Sequence, residues 1–188
     1  MEIYLIRHTT PNIEKGICFG QSDLDLDENY ASEFKTIQSK IPITGSIKVF
    51  SSPLKRCSLL AKQFSNEVHY DKRLKELELG NWEMKLRDAT PEKELTPWMS
   101  NFVNTTVPGG ESYIQLASRV KAFFEDILNS GAKENLIIIA HAGPMRAFLS
   151  SILDIDLKDS FNIKINYGDI FHLKQEANTI RLITEVPI

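Results

Sequence analysis

The stretch Ile3-Tyr4-Leu5-Ile6-Arg7-His8-Thr9 constrains the fold of this chain more than any other. Ile3 to Ile6 is a short apolar run of β-branched, aromatic and aliphatic residues. Such a run reads as a strand buried on both faces. At its end the chain presents a cation and an imidazole, Arg7 and His8. Both are costly to bury unless they meet a ligand or a partner. In open α/β sheets the ligand crevice lies outside the carboxyl ends of the strands. The first eight residues therefore point to an anion site containing a histidine.

The same grammar recurs twice. Ile47 to Phe50 reads as a second strand, followed by Ser51-Ser52-Pro53, with Ser52 expected as N-cap and Pro53 as first helical residue. Leu54, Cys57, Leu60, Ala61 and Phe64 form that helix's apolar stripe. Leu136 to Ala140 is the most apolar strand, followed by His141-Ala142-Gly143 and a helix expected to open at Pro144. Between these units, Asp27 is the expected N-cap of a helix carrying Tyr30, Phe34, Ile37 and Ile41. Glu67 to Tyr70 reads as a weaker strand, and residues 71–110 as a long excursion with a short helix around Pro91 to Phe102. Ser112 and Gln115 resemble a capping box. The helix they open carries Tyr113, Leu116, Val120, Phe123, Phe124, Ile127 and Leu128 on one face, and Gly131 ends it. Asp169 to Lys174 and Thr179 to Thr184 alternate in polarity around a turn at Glu176-Ala177-Asn178, and read as an edge hairpin. Strands alternating with helices predict an α/β fold: three αβα layers, a mostly parallel central sheet and an antiparallel edge.

Length and composition narrow the function. With 188 residues, the chain is expected to be one domain, 1–188. A net charge of −3 argues against a nucleic-acid or anionic-membrane binder, which needs a basic face. No apolar run is long enough to span a membrane. The chain goes from Met1-Glu2 directly into a strand without a signal-peptide pattern, and Cys18 and Cys57 have no redox or metal spacing. The expectation is a cytoplasmic protein with free thiols. No HxH, HExxH, CxxC or aspartate-rich pattern occurs, so no metal and no cofactor is expected. The absence of a GxxxxGK[ST] loop argues against a nucleotide kinase.

If the three strands at 3–6, 47–50 and 136–140 are parallel, their carboxyl ends share one sheet edge. That edge carries Arg7, His8, Ser51, Ser52, Arg56 and His141. Arg56, one turn into a helix, opposes the helix dipole, and an anionic guest would reverse that cost. Each residue alone has a plainer reading: an arginine paired to a surface carboxylate, or a histidine hydrogen-bonded in the core. Their joint placement at three strand ends favours a phosphate-like anion held by arginines. His69 and His172 have no such setting and read as strand residues without a chemical role.

Leu5-Ile6-Arg7-His8-Thr9 resembles the signature of the histidine phosphatase superfamily, the phosphoglycerate-mutase-like proteins. Ser51-Ser52-Pro53-Leu54-Lys55-Arg56-Cys57 resembles its second motif, and Ala140-His141-Ala142-Gly143 its third. Glu76-Leu77-Glu78-Leu79-Gly80-Asn81-Trp82-Glu83 resembles the segment that carries the acid. Within the superfamily the nearest look is to α-ribazole phosphatases of cobalamin nucleotide-loop assembly. Gly16 to Asp23, Gly80 to Glu83 and Pro108 to Ser112 carry that likeness. The chain departs from the mutase branch at Thr9, where mutases carry glycine, and at Glu14, where they carry asparagine. It also has Leu60 where the second motif often has threonine.

The resemblance implies a phosphoglycerate-mutase-like fold and hydrolysis of a small-molecule phosphate ester through a phosphohistidine. His8 would be the nucleophile. Arg7, Arg56 and His141 would hold the phosphoryl oxygens. Glu76, rather than Glu78, would be the proton donor. Gly20, Gln21 and Ser52 would contribute to phosphate binding, and Phe19 and Trp82 would either pack on the leaving group or belong to the core. The implied state is monomer or homodimer. The alternatives are a broad-specificity phosphatase, a phosphoglycerate mutase, or an inactive module that binds a phosphorylated ligand.

Overall fold

A computed structural model describes residues 1–42, 45–131, 133–176 and 179–184. Six strands form one sheet: β1 (Glu2–Arg7), β2 (Ile47–Ser51), β3 (Val68–Tyr70), β4 (Asn135–Ala140), β5 (Ile170–Glu176) and β6 (Thr179–Leu182). Their spatial order is β3-β2-β4-β1-β5-β6. The β3–β2, β2–β4 and β4–β1 pairs are parallel, whereas β5 and β6 run antiparallel at one edge. The mostly parallel sheet with an antiparallel edge hairpin is as the alternation predicts. Of the hairpin turn, Ala177 and Asn178 lie outside the described residues.

The helices are α1 (Tyr30–Ser39), α2 (Lys55–Ala61), α3 (Glu92–Ser100), α4 (Tyr113–Asn129) and α5 (Ala142–Ile152). Strand periodicity sorts the core into two layers. Ile3, Leu5, Leu136 and Ile138 pack with α4 and α5 on one face. Tyr4, Ile6, Ile137 and Ile139 pack with Phe34 and Ile37 of α1 and Cys57 and Leu60 of α2 on the other. Each such aliphatic side chain, removed from water, contributes about 1.5–3 kcal/mol before entropy is charged. Among the described residues no helix is long and apolar enough to cross a membrane.

Three helix starts differ from expectation. Asp27 lies outside α1; its carboxylate accepts from the backbone and side chain of Asn29, which occupies the cap position. Ser52 does not cap α2, which begins at Lys55 with an extended Leu54 before it. Asp23 supplies the missing acceptor instead, taking the Lys55 N–H at 2.6 Å. Pro144 does not open α5; the helix starts at Ala142 with His141 at the cap position. By contrast, the Ser112 N–H donates to Gln115 Oε1 at 2.8 Å, as a capping box requires.

Candidate active site

The register of the sheet assembles the site. Arg7 pairs with Ala140 across β1 and β4, so the next residues, His8 and His141, emerge side by side. Ser51 pairs with Ile139 across β2 and β4, and the Ser52 N–H continues the ladder to Ile139 O at 2.9 Å. His141 therefore stands between His8 and Ser52. The two imidazole centroids are 4.9 Å apart, ring edge to ring face.

His8 is buried, and its Nδ1 lies 2.7 Å from the carbonyl of Thr9. A carbonyl only accepts, so Nδ1 carries the proton and Nε2 keeps a free lone pair. Burial, then the charge of Arg56, push the His8 pKa well below 6.5. Burial, then the neighbouring His8 and both arginines, do the same to His141. His141 Nε2 is 2.8 Å from Ser52 Oγ and 3.4 Å from Cys57 Sγ. The hydroxyl expected to cap a helix is thus spent on a site imidazole. Burial holds the Cys57 thiol high, so it stays protonated beside the ring.

Both arginines are held by carbonyls. Arg7 Nη1 donates to Ile165 O at 2.7 Å, and its guanidinium carbon stacks 3.8 Å from the Tyr167 ring centroid. Arg56, fully buried, donates through Nη1 to Ser22 O at 2.8 Å and through Nη2 to Gly20 O at 2.5 Å. Among the described residues four buried side-chain polar atoms have no partner, and three of them are Arg7 Nε, Arg56 Nε and Thr9 Oγ1. Each costs on the order of 1–3 kcal/mol while unpaired. Their placement beside His8 suits an anion with several acceptor oxygens.

Glu76 comes from the excursion, the short segment after the turn at Asp71–Leu74. Its Oε2 accepts from Gly143 N at 3.1 Å and its Oε1 from Leu77 N at 2.8 Å. The carboxylate therefore sits at the first turn of the helix that His141 caps. Glu78, two residues on, is exposed. Arg119 fixes the segment: Nη1 donates to Arg73 O at 2.6 Å and Lys75 O at 2.7 Å, and Nη2 to Glu76 O at 2.9 Å. Glu111 holds Arg119 in turn, accepting from Nε at 3.1 Å and Nη2 at 2.5 Å.

Of the other expected residues, Gln21 donates its side-chain amide to Glu76 O at 3.1 Å, and Gly20 lends its carbonyl to Arg56. Phe19 lies under Arg56, 5.6 Å from ring centroid to guanidinium carbon. Trp82 is a core residue, 4% exposed, its indole N–H donated to Glu94 at 3.0 Å. His172 is engaged structurally, stacked on Tyr4 and 2.6 Å from Glu2. Sequence reading assigned no role to Arg119, Gly143 or Tyr167. Only Gly143 stood inside a recognised motif.

Residues 3–185 match the family described as Histidine phosphatase superfamily (branch 1). Phosphoserine phosphatase 1 of Hydrogenobacter thermophilus is 26% identical over 190 residues, covering 96% of this chain and 90% of that one. A second protein of that organism, of the phosphoserine phosphatase type by name, is 30% identical over 196 residues, covering 95% and 92%. The crystal structure of the alpha-ribazole phosphatase from Shigella flexneri superposes with a TM-score of 0.88 at 17% identity, over 100% of this chain and 96% of that one.

Proposed function

The chain belongs to the histidine phosphatase superfamily, a hydrolase of phosphoric monoesters, and we propose that it works through a phosphohistidine on His8. The observation that carries this is a neutral, buried His8 with a free Nε2 beside the half-buried Arg7 and the fully buried Arg56, whose buried Nε atoms have no partner. In the first step Nε2 attacks phosphorus as the bond to the ester oxygen breaks, and Glu76 gives that oxygen a proton. Arg7, Arg56 and His141 hold the equatorial oxygens, where charge spreads in the transition state. In the second step water attacks phosphorus, the nitrogen–phosphorus bond breaks, and Glu76 takes back a proton as inorganic phosphate forms. Ser52 orients His141, and Gln21 steadies the backbone of Glu76.

For the alcohol, we infer α-ribazole 5′-phosphate, in cobalamin nucleotide-loop assembly in the cytoplasm. The segments Gly16 to Asp23 and Pro108 to Ser112 support that reading. Phosphoserine is the second reading, favoured by the names of the relatives at 26% and 30% identity. A panel of α-ribazole 5′-phosphate, phosphoserine, 3-phosphoglycerate and p-nitrophenyl phosphate tests both. The first should have the highest kcat/KM. A preference for phosphoserine would replace it, and a broad, flat profile would indicate a general phosphatase. Failure to release phosphate from any of them would leave a binding module.

A further inference from the structure

The loop Gly20–Ser22 lies between two ionic groups, Arg56 of the phosphate site and Glu83 of the excursion. One peptide group touches both. The Gly20 carbonyl accepts from Arg56 Nη2 at 2.5 Å, while the Gln21 N–H of the same peptide donates to Glu83 Oε1 at 2.7 Å. Ser22 repeats the pattern. Its N–H and hydroxyl donate to Glu83 Oε2 at 3.2 and 2.6 Å, and its carbonyl accepts from Arg56 Nη1 at 2.8 Å. Glu83 also takes the N–H groups of Gly20 at 3.0 Å and Leu79 at 3.2 Å.

The geometry points to Glu83 as a positioning residue of the phosphate site, acting through the Gly20–Ser22 loop on Arg56. The inference rests on the phosphatase reading above. A carboxylate touching Arg56 directly would neutralise the charge that phosphate needs. Interposed peptide groups fix the guanidinium while leaving its charge to the substrate, and hydrogen bonds in series polarise one another. With both Nη atoms committed to carbonyls, Nε is the buried atom of Arg56 left without a partner.

Two further features hold the arrangement. A Cβ on Gly20 would lie 1.8 Å from Leu77 O and 2.8 Å from Glu83 Oε1, so the loop can approach only as glycine. Met84, directly after Glu83, has φ of +59° with an exposed side chain. Left-handed backbone at a non-glycine residue is strained and persists where the surroundings demand it. Here hydrogen bonds of 2.8 Å from Cys18 N to Lys85 O and from Met84 N to Cys18 O keep Glu83 facing the loop. Burial pushes the Glu83 carboxyl up, but the donors from Gly20, Ser22 and Gln21 outweigh it and keep it ionised.

Glu83→Gln tests the inference, with inorganic phosphate as the probe. It replaces one acceptor oxygen by an amide that faces N–H donors. The inhibition constant of phosphate should rise about ten- to a hundredfold, the range expected for lost charge-assisted bonds. kcat/KM for p-nitrophenyl phosphate should fall with it, and Glu83→Asp should recover part of both. A Tm loss accompanied by an unchanged inhibition constant means a structural role only and overturns the inference. If Glu83→Gln does not fold, Ser22→Ala decides. It removes one hydroxyl bond and should raise the inhibition constant by about three- to tenfold at near-constant Tm; no change refutes the idea. Wild-type protein that neither binds phosphate nor turns over any monoester would instead refute the phosphatase reading.

Discussion

Gly143→Ala should damage proton transfer while sparing the fold. A Cβ there would sit 2.1 Å from Glu76 Oε1, 3.2 Å from its Cδ and 3.3 Å from a Leu116 methyl. Real Cβ contacts are essentially never under 3.0 Å, so the carboxylate must retreat by about 1 Å. The clashing atom is the end of a flexible side chain, so it can move cheaply. Alanine is otherwise the better residue in a helix, by up to about 1 kcal/mol over glycine. Global stability should therefore change by less than about 1 kcal/mol. A misplacement of about 1 Å at a reacting group costs on the order of 10²-fold in rate.

The loss should depend on the leaving group. An alkyl phosphate needs its oxygen protonated as the bond breaks, whereas an aryl phosphate needs little help. kcat for an alkyl ester should fall about a hundredfold, and for p-nitrophenyl phosphate much less, wherever phosphorylation limits the rate. Glu76→Gln should give the same pattern, and the double variant should add little, since both act on one group. Glu78→Gln should keep most activity on both esters. The refuting results are a Gly143→Ala variant that turns over the alkyl ester like wild type, or one in which both esters suffer equally. Either result would remove Glu76 from proton transfer.

His8→Ala should abolish turnover and the acid-labile, base-stable phosphoryl label that rapid quenching traps on the wild type; full activity would end the phosphohistidine mechanism. Because folding depresses the proton affinity of His8 and His141, the unfolded chain binds protons that the folded chain refuses below pH 6.5. Stability should thus fall as pH drops through 6.5, and urea midpoints for His141→Asn should show a shallower decline. Arg119→Ala strips three backbone carbonyls of their donor and leaves Glu111 without its cation, so unfolding should show a loss of roughly 3 kcal/mol, with the remaining activity biased toward aryl esters.

The parts of the site carried by strands were legible because the strand pattern itself fixes where they emerge. Parallel register puts the residues after Arg7, Ser51 and Ala140 on one edge whatever the loops between them do. Local rules failed where distant groups competed. Ser52-Pro53 has the form of a helix start, yet the Ser52 hydroxyl lies beside His141, 89 residues on, and the Lys55 N–H is capped by Asp23, 32 residues before Lys55. Glu83 meets its loop across 61 to 63 residues, and Arg119 meets the Glu76 segment across 43 to 46. No periodicity encodes such contacts.

Glu76 and Glu78 come to different surroundings for reasons no local pattern carries. In an extended segment, side chains two residues apart point the same way, so spacing cannot rank them. What separates them is glycine at two distant places. Gly143, 67 residues from Glu76, offers an N–H and no Cβ, which opens room for one carboxylate at the start of α5. Gly110 lets its backbone close against the Glu78 carbonyl, where a Cβ would lie 2.1 Å from the oxygen. The Glu78 N–H is likewise bound to Glu111 Oε1 at 3.1 Å, and its side chain is exposed. The Glu76 carboxylate is thus placed by where side chains are missing. A sequence states that absence only as a glycine, and leaves the neighbour it makes room for to the fold.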